Sequence, residues 1–151
     1  HRDEDFDDLA FTLNNLALVR MAQADYGEAA ELWREALPIA EASGHMMYGP
    51  ILIGLADVQC QELRTASGIE MSKQAVTVSN KTFGVDNWRS QRALLTRAYC
   101  RSRGNEGPAG EDIDTEAARA ALAEIVERWG ETNFFSQRAS TQLGEILQGQ
   151  E

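Results

Sequence analysis

Residues 9–37 carry two amphipathic helical patterns that are separated by a turn of only a few residues. Apolar side chains recur every three or four positions on both sides of the turn, which is typical of helices that bury one face. Asp25 and Glu28 have the spacing of a capping box, so we expect the second helix to begin just after Asp25. Small residues at Ala17 and Ala29 leave room for two helices to cross closely. The stretch therefore predicts a helical hairpin.

Similar patterns recur at a spacing of about 40 residues along the rest of the chain. The Leu-Ala pair at 16–17 returns at 55–56, and Gly44, which follows the first hairpin, has a counterpart in Gly84. Internal repetition of this kind is typical of arrays of helical hairpins. We therefore predict one all-α domain over residues 1–151. Its predicted parts are hairpins at about 7–43, 49–83 and 87–129 and a capping helix at about 133–148.

The first hairpin resembles the tetratricopeptide repeat. Its signature positions are matched by Leu16-Ala17, Asp25-Tyr26, Ala29 and Ala36-Leu37. The Asn-Asn-Leu-Ala run at 14–17 and the Gly-x-Asp-x-Trp stretch at 84–88 resemble the longer repeats of kinesin light chains. Such repeats also occur in the C-terminal regions of bacterial signalling proteins and serine/threonine kinases. The resemblance implies a right-handed α-solenoid that binds other proteins in its concave groove.

The chain is acidic, with a formal net charge of −10. Nucleic acids and anionic membranes are poor partners for such a chain, because lysines and arginines would have to neutralise their phosphates. A basic peptide or protein is more compatible, although acidity is more often a feature that keeps proteins soluble. We therefore expect a protein or peptide partner, no nucleic acid and no membrane.

Cysteine content and apolar runs suggest a location for the protein. Cys60 and Cys100 are the only two cysteines, and a helical chain of this size fits free, packed thiols in a reducing compartment better than a disulfide framework. No run of 18 apolar residues and no secretory leader is visible. We expect a cytoplasmic protein. The chain begins at His1 rather than Met, so we also expect it to be part of a longer protein.

No group of residues has the spacing of an active site. His1 and His45 stand apart from other candidate ligands, and the spacing of cysteines and histidines matches no zinc site. The glycine-rich loop at 104–112 follows a helix and lacks the Gly-Lys-Ser/Thr end of a phosphate-binding loop. The three tryptophans are expected to pack between helices. We predict no enzymatic activity, no cofactor and no metal.

The first helix of each hairpin is expected to line the concave groove. The candidate residues are those turned away from the Leu-Ala seam: Phe11, Asn14, Asn15, Leu18 and Met21 in the first hairpin, Ile53, Asp57, Cys60 and Gln61 in the second, and Arg89, Arg92, Thr96 and Tyr99 in the third.

Polar groups within this set suggest how a ligand is held. In the resembled family an asparagine before Leu-Ala often clamps the backbone of a bound peptide, and Asn15 has that place here. Gly54 and Ala93 occupy the equivalent places in the next two hairpins, so the ladder of clamps is interrupted. Arg89 and Arg92 could bind an acidic peptide or a C-terminal carboxylate. The alternative is a salt bridge from these arginines to Asp57 or to a neighbouring glutamate.

The sequence therefore favours a non-enzymatic module for protein–protein interaction that binds a peptide or protein segment in its groove. The alternative is an element for oligomerisation, or a structural and regulatory scaffold, within a larger signalling protein. The interrupted ladder of asparagines motivates this alternative, because it suggests that a second copy of the chain, or the chain itself, fills the groove.

Overall fold

The computed structural model describes residues 2–104 and 113–149, and in this part of the chain it contains seven α-helices and no strand. They are α1 (Arg2–Ala22), α2 (Tyr26–Ser43), α3 (Tyr48–Gln61), α4 (Thr65–Phe83), α5 (Trp88–Arg103), α6 (Thr115–Trp129) and α7 (Phe134–Gly149). The prediction of an all-α chain is confirmed. The predicted glycine-rich loop, from residue 105 to residue 112, lies outside the described residues.

Side-chain caps fix the ends of several helices, though not always as the sequence suggested. Asp25 caps α2 as predicted, because its Oδ1 accepts a hydrogen bond of 3.2 Å from the backbone N–H of Glu28. Glu28 does not return a bond to Asp25; its carboxylate instead pairs with Arg20 Nε at 3.0 Å. Ser67 and Glu70 also have the spacing of a capping box, which predicts a helix that begins just after Ser67; this prediction is wrong, since α4 already begins at Thr65.

Contacts between the helices place α1, α3, α5 and α7 on one side of the molecule. Each helix packs against the next one in the chain, and α1 packs on α3, α3 on α5, and α5 on α7. In contrast, α2, α4 and α6 make their main contacts only with helices adjacent in the chain. The helices α1, α3, α5 and α7 therefore form one row, and we call the surface that α1, α3 and α5 present on this side the inner face.

The central helix α3 is buried along almost its whole length, since every residue from 49 to 60 is buried. Close contact with α2 requires a glycine here, because a Cβ added to Gly54 would lie 2.5 Å from Cε2 of the Trp33 indole. The fully buried Trp33 donates its Nε1–H to Asn14 Oδ1 at 2.9 Å, so its polar atom is satisfied. This packing explains why a glycine interrupts the expected ladder of asparagines.

The expectation of free thiols is wrong, because Cys60 and Cys100 form a disulfide. Both residues are fully buried, and the bond joins α3 to α5 with a Cα–Cα distance of 5.3 Å. The sequence separation of 40 residues did not reveal the pairing, because only the contact between α3 and α5 brings the two side chains together.

We predict that replacing both cysteines by alanine lowers the free energy of unfolding by about 4 kcal/mol. The disulfide closes a loop of 40 residues and so restricts the unfolded chain. Urea unfolding of the oxidised protein and of the double variant measures the difference. Alkylation of both thiols in denaturant without a reductant would contradict the pairing itself.

We predict that Gly54→Ala lowers the free energy of unfolding by about 1–3 kcal/mol, because the added methyl group collides with the rigid Trp33 ring. Gly27→Ala is the matched control. Gly27 lies in the first turn of α2, and a Cβ there meets no atom within 4 Å, so this change is expected to be neutral or slightly stabilising. Equal losses in the two variants, measured by thermal or urea unfolding, would argue against the close contact.

Candidate binding pocket on the inner face

A cavity of about 240 Å³ opens on the inner face, and we call it the inner pocket. It is bounded by α1, by the first half of α3, by the start of α5 and by the ends of α6 and α7 that meet there. Its lining residues are Phe11, Asn14, Asn15, Leu18, Met47, Pro50, Ile53, Trp88, Arg89, Arg92, Trp129 and Phe135.

Several of the residues predicted for the groove meet in this pocket. Phe11, Asn15 and Leu18 lie on one stripe of α1, and Arg89 and Arg92 are one turn apart on α5. Phe11 is half exposed, and no hydrogen bond to the Asn15 amide occurs within the described residues. The structure thus places an apolar group, an amide and two guanidinium groups around one opening.

Three aromatic rings form one wall of the inner pocket. The ring centroids of Trp88 and Trp129 are 5.1 Å apart, and both lie within 5.5 Å of the centroid of Phe135. The tryptophans pack between helices, as the sequence predicted, and Trp88 meets Trp129 edge to face. This cluster joins the start of α5 to the turn between α6 and α7, so the wall is built from three helices.

Arg89 and Arg92 are held by rings rather than by carboxylates. The Arg92 guanidinium lies 4.9 Å from the centroid of Phe135, and Arg89 lies 4.7 Å from that of Trp88. Within the described residues neither arginine has a carboxylate oxygen within 4.0 Å. Burial lowers the pKa of Arg92 to about 10, and burial followed by the charge of Arg128 lowers the pKa of Arg89. Arg92 therefore still carries its positive charge at neutral pH.

The alternative salt bridge from these arginines to Asp57 is not formed, because Asp57 binds Arg138 of α7. Arg138 donates from Nε to Asp57 Oδ2 at 2.9 Å and from Nη2 to Oδ1 at 2.7 Å. Gln61 adds a longer contact of 3.4 Å to the same carboxylate. Burial opposes the charged form of Arg138, but the hydrogen bonds and charge of Asp57 raise its pKa above the usual value. Sequence reasoning missed Arg138 because no local pattern links positions 81 residues apart.

Other predicted groove residues face the interior of the protein, and the expectation that they present themselves to a ligand is wrong. Asp57 is closed off by Arg138, Thr96 accepts a bond of 3.3 Å from Gln142, and Tyr99 lies under the Arg138 guanidinium at 5.0 Å. These three side chains pack against α7, which covers this half of the inner face.

Two further candidates are also buried, for a different reason. The amide of Asn14 is occupied by Trp33 and by a contact of 3.6 Å to Met47 Sδ. Met21 is buried against α2 and borders a second opening of about 300 Å³. Phe134 lines that second opening whereas Phe135 lines the inner pocket, so the first turn of α7 divides the inner face into two short parts.

Within residues 2–104 and 113–149 no group of three or more His, Cys, Asp or Glu side chains is arranged to hold a metal ion. None of the helices that the structure describes is both long enough and apolar enough to cross a lipid bilayer. No protein-family model matches the chain, and no curated protein was found to be similar to it. The pocket is therefore interpreted from its own geometry.

We predict that Arg138→Met and Arg92→Met affect stability very differently. Arg138→Met leaves Asp57 charged and buried without its partner, so the free energy of unfolding is expected to fall by about 3–5 kcal/mol. Arg92→Met removes a buried charge that has no carboxylate partner among the residues that the structure describes, so its effect is expected to stay within about 1 kcal/mol of zero or to be stabilising. Urea unfolding measures both changes. Similar losses in the two variants would show that Arg92 also has a counter-ion inside the protein.

Proposed function

We propose that the chain is a non-enzymatic interaction module, a short α-solenoid of the tetratricopeptide type, that binds a peptide or protein segment on its inner face. The packing of α1 on α3, of α3 on α5 and of α5 on α7 supports a solenoid. The resemblance of the first hairpin to that repeat supports the type.

One observation carries this proposal: at an open pocket, the solvent-facing stripe of α1 combines apolar anchors with an amide that forms no hydrogen bond to any described residue. Phe11 is 50% exposed and Leu18 is half-buried, although both are large apolar residues. Asn15 lies between them and offers a donor and an acceptor, which suits the backbone of a bound segment. Because α7 covers Tyr99 and Thr96, the segment held here is short and contacts mainly α1 and the start of α5.

A second candidate function is self-association or docking within a larger protein. It is favoured by another stripe on α1, formed by Leu9, Leu16 and Val19, which are 40%, 38% and 49% exposed. These residues repeat at helical spacing and face away from both α2 and the inner pocket, so they suit a further helix.

The disulfide indicates the kind of compartment in which this module folds. A buried bond between Cys60 and Cys100 is typical of proteins that fold in oxidising compartments. It therefore favours such a compartment over the cytoplasmic location that the sequence suggested.

We predict that a displayed peptide library yields binders whose affinity falls about tenfold in Leu18→Ala and in Asn15→Ala. The reason is the loss of an apolar anchor in the first variant and of a backbone clamp in the second. Fluorescence anisotropy of a labelled binder measures the affinities. Leu16→Ala is the matched control, since Leu16 lies on the same helix but outside the pocket.

Effects of Leu16→Ala without effects of the two pocket variants would support self-association, the second candidate function. If Leu16→Ala changes the oligomeric state in light scattering while Leu18→Ala and Asn15→Ala change no binding, the inner face is not the interaction surface.

A further inference from the structure

The inner pocket contains a buried positive charge that meets no carboxylate oxygen within 4.0 Å in residues 2–104 and 113–149. Arg92 is only 8% exposed and lines the pocket, and among the described residues it contacts the Phe135 ring but no carboxylate. Removing a cation from water is costly unless an anion or several acceptors replace the lost hydration. An arrangement of this kind is well suited to an anion that is supplied from outside.

The nearby carboxylate of Asp57 does not pair with Arg92. Both oxygens of Asp57 are bound by Arg138, which is itself a cation close to Arg92. The one carboxylate beneath the pocket is therefore taken up by Arg138, and Arg89 adds another guanidinium at the pocket's rim. The pocket is locally positive even though the whole chain has a formal net charge of −10.

Apart from the amides of Asn14 and Asn15, the rest of the pocket is apolar, and the pocket is small. Trp88, Trp129 and Phe135 form a continuous aromatic wall, with Leu18 and Ile53 also lining the cavity. A volume of about 240 Å³ is below the range of roughly 300–1,000 Å³ that is typical of sites for drug-sized ligands and cofactors. It suits one large apolar group, such as a single aromatic ring or a branched aliphatic chain.

We propose that the inner pocket binds a carboxylate that carries one large apolar group. The carboxylate lies between Arg89 and Arg92, which are one helical turn apart, and the apolar group packs on the aromatic wall. Two sources have this chemistry: a free organic acid and the C-terminal residue of a peptide. The inference rests on the proposed function, because it names what the inner face recognises in its ligand.

The test uses three probes and isothermal titration calorimetry on the oxidised protein. They are N-acetylphenylalanine, its uncharged C-terminal amide, and a hexapeptide that ends in phenylalanine with a free carboxylate. Both acids are expected to bind, and the amide is expected to bind at least about tenfold more weakly, since it leaves the buried guanidinium unpaired. Tighter binding of the hexapeptide identifies a peptide end as the source, and equal binding of the two acids identifies a free acid.

Variants of the two arginines test whether the preference for the acid over the amide arises in the inner pocket. Arg92→Gln and, at the more exposed position, Arg89→Gln are both expected to reduce the preference for acid over amide to about twofold or less. Arg119→Gln removes the same charge from the exposed surface of α6 and is expected to change nothing. Circular dichroism checks that each variant is folded. If Arg92→Gln does not fold, Arg89→Gln alone provides the test.

Other results would overturn the inference. Equal binding of acid and amide, or no binding of any probe up to about 10 mM, rules out carboxylate recognition. The proposed function is judged separately, because peptides from the display library that bind through internal residues would still support it. An effect of Arg119→Gln as large as that of Arg89→Gln would show a general charge effect instead of a site.

Discussion

The ion pair between Asp57 and Arg138 is the contact on which the arrangement of the inner face depends. It joins α3 to α7 across 81 residues, and both side chains are largely withdrawn from solvent. Arg103 makes a similar connection nearby, donating to the Cys60 and Gln61 carbonyls of α3 and to Glu145 of α7. Together these bonds hold the last helix against α3. Breaking the first pair leaves the buried Asp57 without its partner, whereas Arg103 and Glu145 are partly exposed to solvent.

Fixing α7 in this way determines which part of the inner face is open. The polar residues Thr96 and Gln142 bond to each other, and Tyr99 is covered by the Arg138 guanidinium. Asp57 is already bound by Arg138, and the Arg92 guanidinium lies over the ring of Phe135 instead. The same ion pair that closes one half of the face thus leaves Arg92, in the other half, without a carboxylate contact in the described part of the chain.

The charge of the inner pocket and the net charge of the chain have opposite signs. The formal net charge of −10 argues against nucleic acids as partners and fits a basic one, whereas the pocket on the inner face presents Arg89 and Arg92. The field of surface carboxylates is screened by water and salt, but a buried guanidinium in an aromatic setting is screened much less. The chemistry of the pocket therefore follows from the few charges inside it.

The sequence by itself determined the helices, because their apolar spacing and caps are local properties: Asp25 and Asp114 cap α2 and α6, and Gly44 ends α2 in the left-handed conformation. Helical periodicity sorted the residues of each helix by face, and the resemblance to the tetratricopeptide repeat joined Phe11, Asn15, Leu18, Arg89 and Arg92 in one predicted groove set, together with the buried Asp57, Thr96 and Tyr99. Only the tertiary structure decided the Cys60–Cys100 disulfide, the bond from Trp33 to Asn14 and the ion pair from Arg138 to Asp57. Each of these joins residues on different helices. Their meeting depends on how the helices cross, which periodicity along a single helix does not specify.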